Sequence, residues 1–163
     1  MTDQPIQLDL EKLAHTSMTI MCAAADGDTE TISGLMMQVA TSEGGPAAVY
    51  SLCCSWAEVV MRLGFGRDVR GGDAVAVMGV LSGTPDNLRQ IAPEDAPPQY
   101  RSQIWATRFV AAYLNGNDDQ TMALFAASMD DEERHVGDVV ALIGMVGDVL
   151  RNAEQQRTED GQP

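Results

Sequence analysis

The chain has 163 residues, a net charge of −14 and 45% hydrophobic residues. This length suits a single domain, and this hydrophobic content excludes global disorder. The acidic charge opposes nucleic acid and anionic membranes as partners, because both bind basic surfaces.

The termini and cysteines favour a cytoplasmic location. No uncharged apolar stretch reaches about 18 residues, so we predict no membrane-spanning segment. Residues 1–9 lack a basic region, so we expect no signal peptide. Three cysteines, two of them adjacent, do not indicate a disulfide framework.

Apolar residues recur at three- and four-residue steps over most of the chain, which is typical of amphipathic helices. We therefore predict an all-α fold with one helical domain over residues 1–163. The predicted helices, in chain order, cover residues 8–25, 28–41, 46–63, 98–114, 120–129 and 131–152. Residues 64–97 form a predicted connector, and the polar residues 153–163 are predicted to be disordered.

Local signals mark the helix ends. Gly27 is predicted to end the first helix, since glycine adopts the left-handed conformation without steric cost. Capping boxes are predicted ahead of the last two helices, Asn117 with Gln120 and Asp130 with Glu133.

The third and sixth helices are the most apolar. The third has almost no polar face, which predicts a central position or a subunit interface. Within the connector, residues 74–81 are short, valine-rich and bounded by glycines. They predict a strand, with residues 87–91 as its partner in a short β-hairpin.

When the sequence is shifted by 89 residues, its first part aligns with its last part. It pairs Gly27 with Gly116 and Leu35 with Leu124, among six identities between residues 16–62 and 105–151. The pattern predicts two similar three-helix units, 8–63 and 98–152, related by a pseudo-twofold axis. The alternative is that all-helical chains generally contain segments with such similarity.

Two regions are candidates for ligand binding. The loop over residues 64–72 carries Arg67 and Arg70, which suit a carboxylate or phosphate, although a plain connector is the simpler interpretation. On the fourth helix, Trp105 and Arg108 lie together. Arg108 is predicted either to pair with an acid of the other unit or to bind a ligand carboxylate between the units.

No metal, cofactor or catalytic residue is predicted. The acidic corner from residue 26 to 30 lacks the glycine and glutamate positions of an EF-hand. Its residues 24–27 are similar to the acidic corner of tellurite-resistance B-type helical domains, but Thr29 and Thr31 interrupt the acidic run. Asp28 or Thr29 is instead predicted to cap the second helix.

The remaining polar residues have simple interpretations. The three cysteines have no close Cys-x-x-Cys spacing, so we interpret them as small hydrophobic residues. His135, with Glu132 and Asp138 three residues to either side, is interpreted as part of a solvated acidic helix start rather than an acid–base centre.

These observations favour a non-catalytic protein-interaction or scaffold module. It is expected to act with a protein partner or as a homodimer through its third or sixth helix. The alternative is a small-ligand-binding protein or enzyme with a pocket between the units around Trp105 and Arg108.

Overall fold

A computed structural model describes residues 9–71, 81–82, 89–90, 96–159 and 161. Its described part is helical apart from two two-residue strands, so the predicted all-α class is confirmed. The helices are α1 (Leu10–Asp26), α2 (Thr29–Ala40), α3 (Gly45–Val59), α4 (Pro98–Leu114), α5 (Asp118–Met129) and α6 (Glu132–Glu159). A π-helical turn, Val60–Gly64, continues α3 to near its predicted end.

Asx side chains begin four of these helices. Asp9, Asp28 and Asn117 each accept a hydrogen bond from the backbone N–H three residues later. Such caps satisfy N–H groups that have no partner inside the helix. The predicted cap of α6 was one residue too early, because Asp131 rather than Asp130 accepts from the Arg134 N–H at 3.1 Å.

Glycine corners join α1 to α2 and α4 to α5. Gly27 has φ 75° and Gly116 has φ 69°, both left-handed, so each chain reversal uses a conformation that favours glycine. The helices before the two corners have 17 residues each, and those after them have 12 each.

Helix α3 is central. Leu52, Cys53 and Trp56 are at most 1% exposed and lie in one core with residues of every other helix. This confirms the predicted central position.

Helix α6 is the longest element and packs against α1, α3, α4 and α5. It continues to Glu159, seven residues beyond the predicted end at 152, so the predicted disorder of 153–159 was wrong. These residues are mostly strong helix formers, and no glycine or proline interrupts them before Gly161.

Helices α1 and α6 run side by side in the same direction. The Arg151 guanidinium donates to the carbonyl oxygens of Ala24 and Ala25 at 2.8 and 3.0 Å. Gly147 lies so close that a Cβ there would stand 2.6 Å from the Ala24 oxygen. The absence of a side chain at Gly147 therefore sets the separation of the two helices.

The connector is described only in part. Leu81 pairs with Gln90, and Ser82 with Arg89, as two short antiparallel strands, β1 (Leu81–Ser82) and β2 (Arg89–Gln90). Most of the predicted hairpin, residues 74–80 and 83–88, lies outside the described residues, so the hairpin stays a prediction. No described helix is long and apolar enough to cross a lipid bilayer.

Candidate functional site

The arginine loop is held by its own contacts. Arg67 donates through Nη2 to the Gly71 carbonyl and through its backbone N–H to the Met61 carbonyl. Arg70 donates through Nε to the Tyr113 carbonyl at 2.9 Å and forms an ion pair with Asp118. Both guanidinium groups therefore bind this chain, which supports a structural connector over an anion site.

A polar cluster surrounds Arg70, where the loop meets α3 and the α4–α5 corner. The Arg70 Cζ lies 3.9 Å from the centroid of the Tyr113 ring, a cation–π contact. The Tyr113 hydroxyl donates weakly to Glu58 at 3.5 Å. From α3, Tyr50 and Cys54 complete the cluster.

The electrostatics of this cluster do not activate a nucleophile. Burial raises the pKa of the Cys54 thiol, and its Tyr50 hydrogen bond and the Arg70 charge offset that rise only in part. Burial also raises the pKa of Tyr50 to about 12. Burial raises the pKa of Cys53 as well. All three groups are protonated at neutral pH, and a protonated thiol is a poor nucleophile.

We therefore expect the cysteines to react in the order of their exposure. Treatment of the folded protein with N-ethylmaleimide at pH 7.5 should modify the exposed Cys22 first, then the partly buried Cys54. Cys53 should react only on unfolding. Peptide mass spectrometry over time measures the order, and faster modification of Cys54 than of Cys22 would reveal an activated thiol that these contacts do not account for.

Trp105 belongs to the core rather than to a pocket. It is 1% exposed, its Nε1 donates to the Leu124 carbonyl at 2.9 Å, and its ring stacks on Phe109 at 5.0 Å. Every polar atom of the indole is thus used, and no ligand reaches it in this conformation. The structure therefore places Trp105 in the core, and apolar spacing alone does not separate core from cavity.

Arg108 is partly buried on α4. No carboxylate of the described residues lies within ion-pair distance of it, so the predicted pair with the other unit is not found there. No hydrogen bond, ion pair or ring contact joins Arg67 or Arg70 to Trp105 or Arg108. The four predicted ligand-binding residues do not form one site.

One open groove, of about 270 Å³, lies between α1, α2 and the start of α3. Leu13, Val39 and Ala48 are its apolar lining, and Asp9, Lys12 and Glu43 are its charged members. Among the described residues, none of these three charged side chains forms an ion pair. Trp105 and Arg108 lie elsewhere, so this groove is not the predicted pocket.

His135 and Asp138 occupy a corner of α4, α5 and α6. His135 Nδ1 lies 2.7 Å from the Ser128 hydroxyl, and its ring packs edge-on against Phe125 at 5.1 Å. Burial lowers the pKa of His135, which keeps the imidazole neutral near pH 7. The predicted solvated helix start is therefore correct for Glu132 but wrong for His135, which packs inward.

Asp138 is fully buried, which the sequence did not indicate. Neither carboxylate oxygen has a hydrogen-bond partner of normal geometry, and the nearest cation, Arg134 Nε, stands 3.6 Å away. Burial raises the pKa of Asp138, and Ser102 and Arg134 lower it only in part. Within the described ranges, no three His, Cys, Asp or Glu side chains are grouped to hold a metal ion.

No family model, curated protein or solved structure matches this chain. Any functional assignment therefore depends on the surface and interior of this chain itself.

The exposed apolar side chains are the feature that sequence analysis missed. On α6, Val136 and Val140 are 57% and 55% exposed, and they follow the stripe of Gly147, which faces α1. On α1, Leu10 and Met18 are 70% and 63% exposed.

We name the exposed residues Leu10, Met18, Val136 and Val140 the α1/α6 face. Single exposed apolar residues are ordinary, but a group along two adjacent helices typically marks an interaction surface. The sequence contained one signal for this surface. The apolar stripes of α1 and α6 are wider than the part of each helix that a single buried face would cover.

Proposed function

We propose that this protein is a non-catalytic interaction module that self-associates through the α1/α6 face. The observation that carries the proposal is that these four large apolar side chains remain in water in the monomer. Burying apolar surface stabilises association by about 25 cal/mol for each Å² removed from water.

Charge is compatible with this surface. The chain carries −14, so two copies repel each other overall. None of the four residues of the face is charged, but Asp131, Glu132 and Glu133 lie beside Val136, so acids of two copies approach each other at the edge of the face. We therefore expect added salt to strengthen self-association, because salt screens like charges and leaves apolar contacts intact.

The polar cluster supports the non-catalytic part of the proposal. Arg70 is committed to Tyr113 and Asp118, and Cys54 is held as a neutral thiol. A catalytic site instead needs a nucleophile or base with a pKa matched to its task. The alternative of a pocket around Trp105 and Arg108 is less favoured, because Trp105 is buried in the core.

The two-unit architecture is a further part of the proposal. The equal lengths of α1 and α4, and of α2 and α5, favour two related units, as do their matching glycine corners. A β-hairpin within the connector between the units is proposed with it.

Light scattering on the full chain tests self-association. A homodimer has twice the 17.5 kDa mass of the monomer. The substitution Val140→Asp should return the mass to that of a monomer, because a carboxylate at the contact is desolvated without a partner. The matched control is Met37→Asp, which places the same charge at an exposed apolar position on α2.

Circular dichroism should show both variants folded, since both positions are exposed. A wild-type mass of 17.5 kDa at all protein and salt concentrations would contradict self-association. Equal dissociation by both substitutions would place the contact elsewhere than the α1/α6 face.

A further inference from the structure

Beyond its first turn, helix α5 has an apolar outer surface. Between Gln120 and Met129 it contains no charged residue, although the chain as a whole carries 24 acidic and 10 basic ones. Its inner side is buried through Thr121, Phe125 and Ser128. After the exposed polar residues Asp118, Asp119 and Gln120, its exposed side consists of Met122, Ala123, Ala126, Ala127 and Met129, which we name the α5 face.

A helix that is apolar on all sides is usually covered on all sides. Here Met122 and Met129 are 58% and 42% exposed, so the described part of the chain leaves half of α5 uncovered. The three alanines lie between the two methionines on the same surface. Small side chains permit close approach of a second helix, and methionine adapts to the shape of its partner.

Acidic residues close both ends of the α5 face. Asp118 and Asp119 precede it, and Asp130 and Asp131 follow it, all four exposed. Asp118 is already ion-paired with Arg70, so the acids at these two ends that form no ion pair within the described residues are Asp119, Asp130 and Asp131. At 1.5 Å per residue, the two acidic ends lie roughly 16 Å apart along the helix. The surface is therefore an apolar centre between two negative ends.

This charge pattern selects the partner. A second copy of α5 brings acids to both ends in either the parallel or the antiparallel arrangement, which places like charges together. A helix with an apolar centre and basic residues about eleven positions apart places opposite charges at both ends. We infer that the α5 face binds a basic amphipathic helix of another protein, in the helix-on-helix mode.

The proposal is independent of self-association, and the effect of salt on binding distinguishes the two. Salt should weaken binding at α5, because the charges there attract. It should strengthen association through the α1/α6 face, where the charges repel. Val140→Asp should leave binding at α5 unchanged, so either proposal can fail without the other.

A labelled synthetic peptide tests the inference by fluorescence anisotropy with the full chain. The peptide has a central face of leucine and alanine, with two lysines or arginines at each end. A peptide of the same composition, scrambled to remove the apolar face, measures binding by charge alone. We expect the scrambled peptide to bind at least about tenfold more weakly.

Protein variants complete the test. Met122→Gln changes no charge and should weaken peptide binding by about tenfold, because it replaces an apolar anchor. Met37→Gln, at an equally exposed position on α2, should have no effect. Asp119→Asn with Asp130→Asn should weaken binding and reduce its salt dependence.

Three results would overturn the inference. Equal binding of both peptides would mean that bulk charge alone is responsible. Unchanged binding to Met122→Gln would place the contact away from the α5 face. Loss of a wild-type dimer on Met122→Gln substitution, measured by light scattering, would assign the α5 face to a second copy instead.

Discussion

Replacing Gly147 with alanine is expected to lower the free energy of unfolding by about 1–3 kcal/mol, the usual range for overpacking. The added Cβ would stand 2.6 Å from the Ala24 oxygen and 2.9 Å from the Ala24 carbonyl carbon. Both contacts are with backbone, so α1 and α6 must separate to relieve them. Separation also weakens the hydrogen bonds of Arg151 to Ala24 and Ala25.

Gly144→Ala is the matched control on the same helix, since a Cβ there meets nothing within 4 Å. It should raise the free energy of unfolding by about 0.5–1 kcal/mol, because alanine favours the helix over glycine. Urea denaturation followed by circular dichroism measures both. Equal stabilisation by the two substitutions would mean that α1 and α6 are not in close contact at Ala24.

Replacing Asp138 with asparagine is expected to raise the free energy of unfolding at pH 8 by about 1–2 kcal/mol. The carboxylate is fully buried, has no normal hydrogen bond, and has its nearest cation at 3.6 Å. An uncompensated buried charge is more costly than a neutral amide of the same shape. The substitution removes that cost and keeps the volume.

The effect should depend on pH with a definite sign. Burial raises the pKa of Asp138 above its ordinary value of 3.8, so the folded state holds this proton more tightly than the unfolded state. The contribution of Asp138 to stability therefore falls as pH rises from about 3.8 through the raised pKa. The advantage of Asp138→Asn should vanish at low pH and reach its full value above that window.

Denaturation curves at several pH values test this, with Glu154→Gln as control. Glu154 is an exposed carboxylate on the same helix, so its replacement should change stability little at any pH. If Asp138→Asn is instead destabilising at pH 8, the carboxylate is a stabilising anion. In that case Arg134→Gln should be destabilising as well, because it removes the ion-pair partner that the described residues give Asp138.

The helices and their starts were predictable because their signals are local. Apolar spacing located all six helices, and α4 was predicted to the residue. Asx residues placed the starts of α2 and α5, since a cap acts within three residues of itself. The end of α6 was missed because a polar composition was taken for disorder, although those residues favour a helix.

The candidate site was less predictable because burial is not a local property. Trp105 and Met18 both lie on apolar stripes, but Trp105 is buried and Met18 is 63% exposed. Asp138 lies near a run of acids that we predicted to be solvated, yet its position on α6 directs it toward α4. The Arg70 contacts with Tyr113 and Asp118 join residues more than 40 positions apart.

The sequence alone determined the all-helical class, the order of the helices and the acidic surface, because these follow from periodicity, capping and composition. Tertiary structure alone decided which apolar faces are covered, and it left the α1/α6 and α5 faces open to water. It also decided that Asp138 is buried and that Gly147 sets the approach of α1. These features depend on how helices distant in sequence pack, and no spacing within a single helix encodes that.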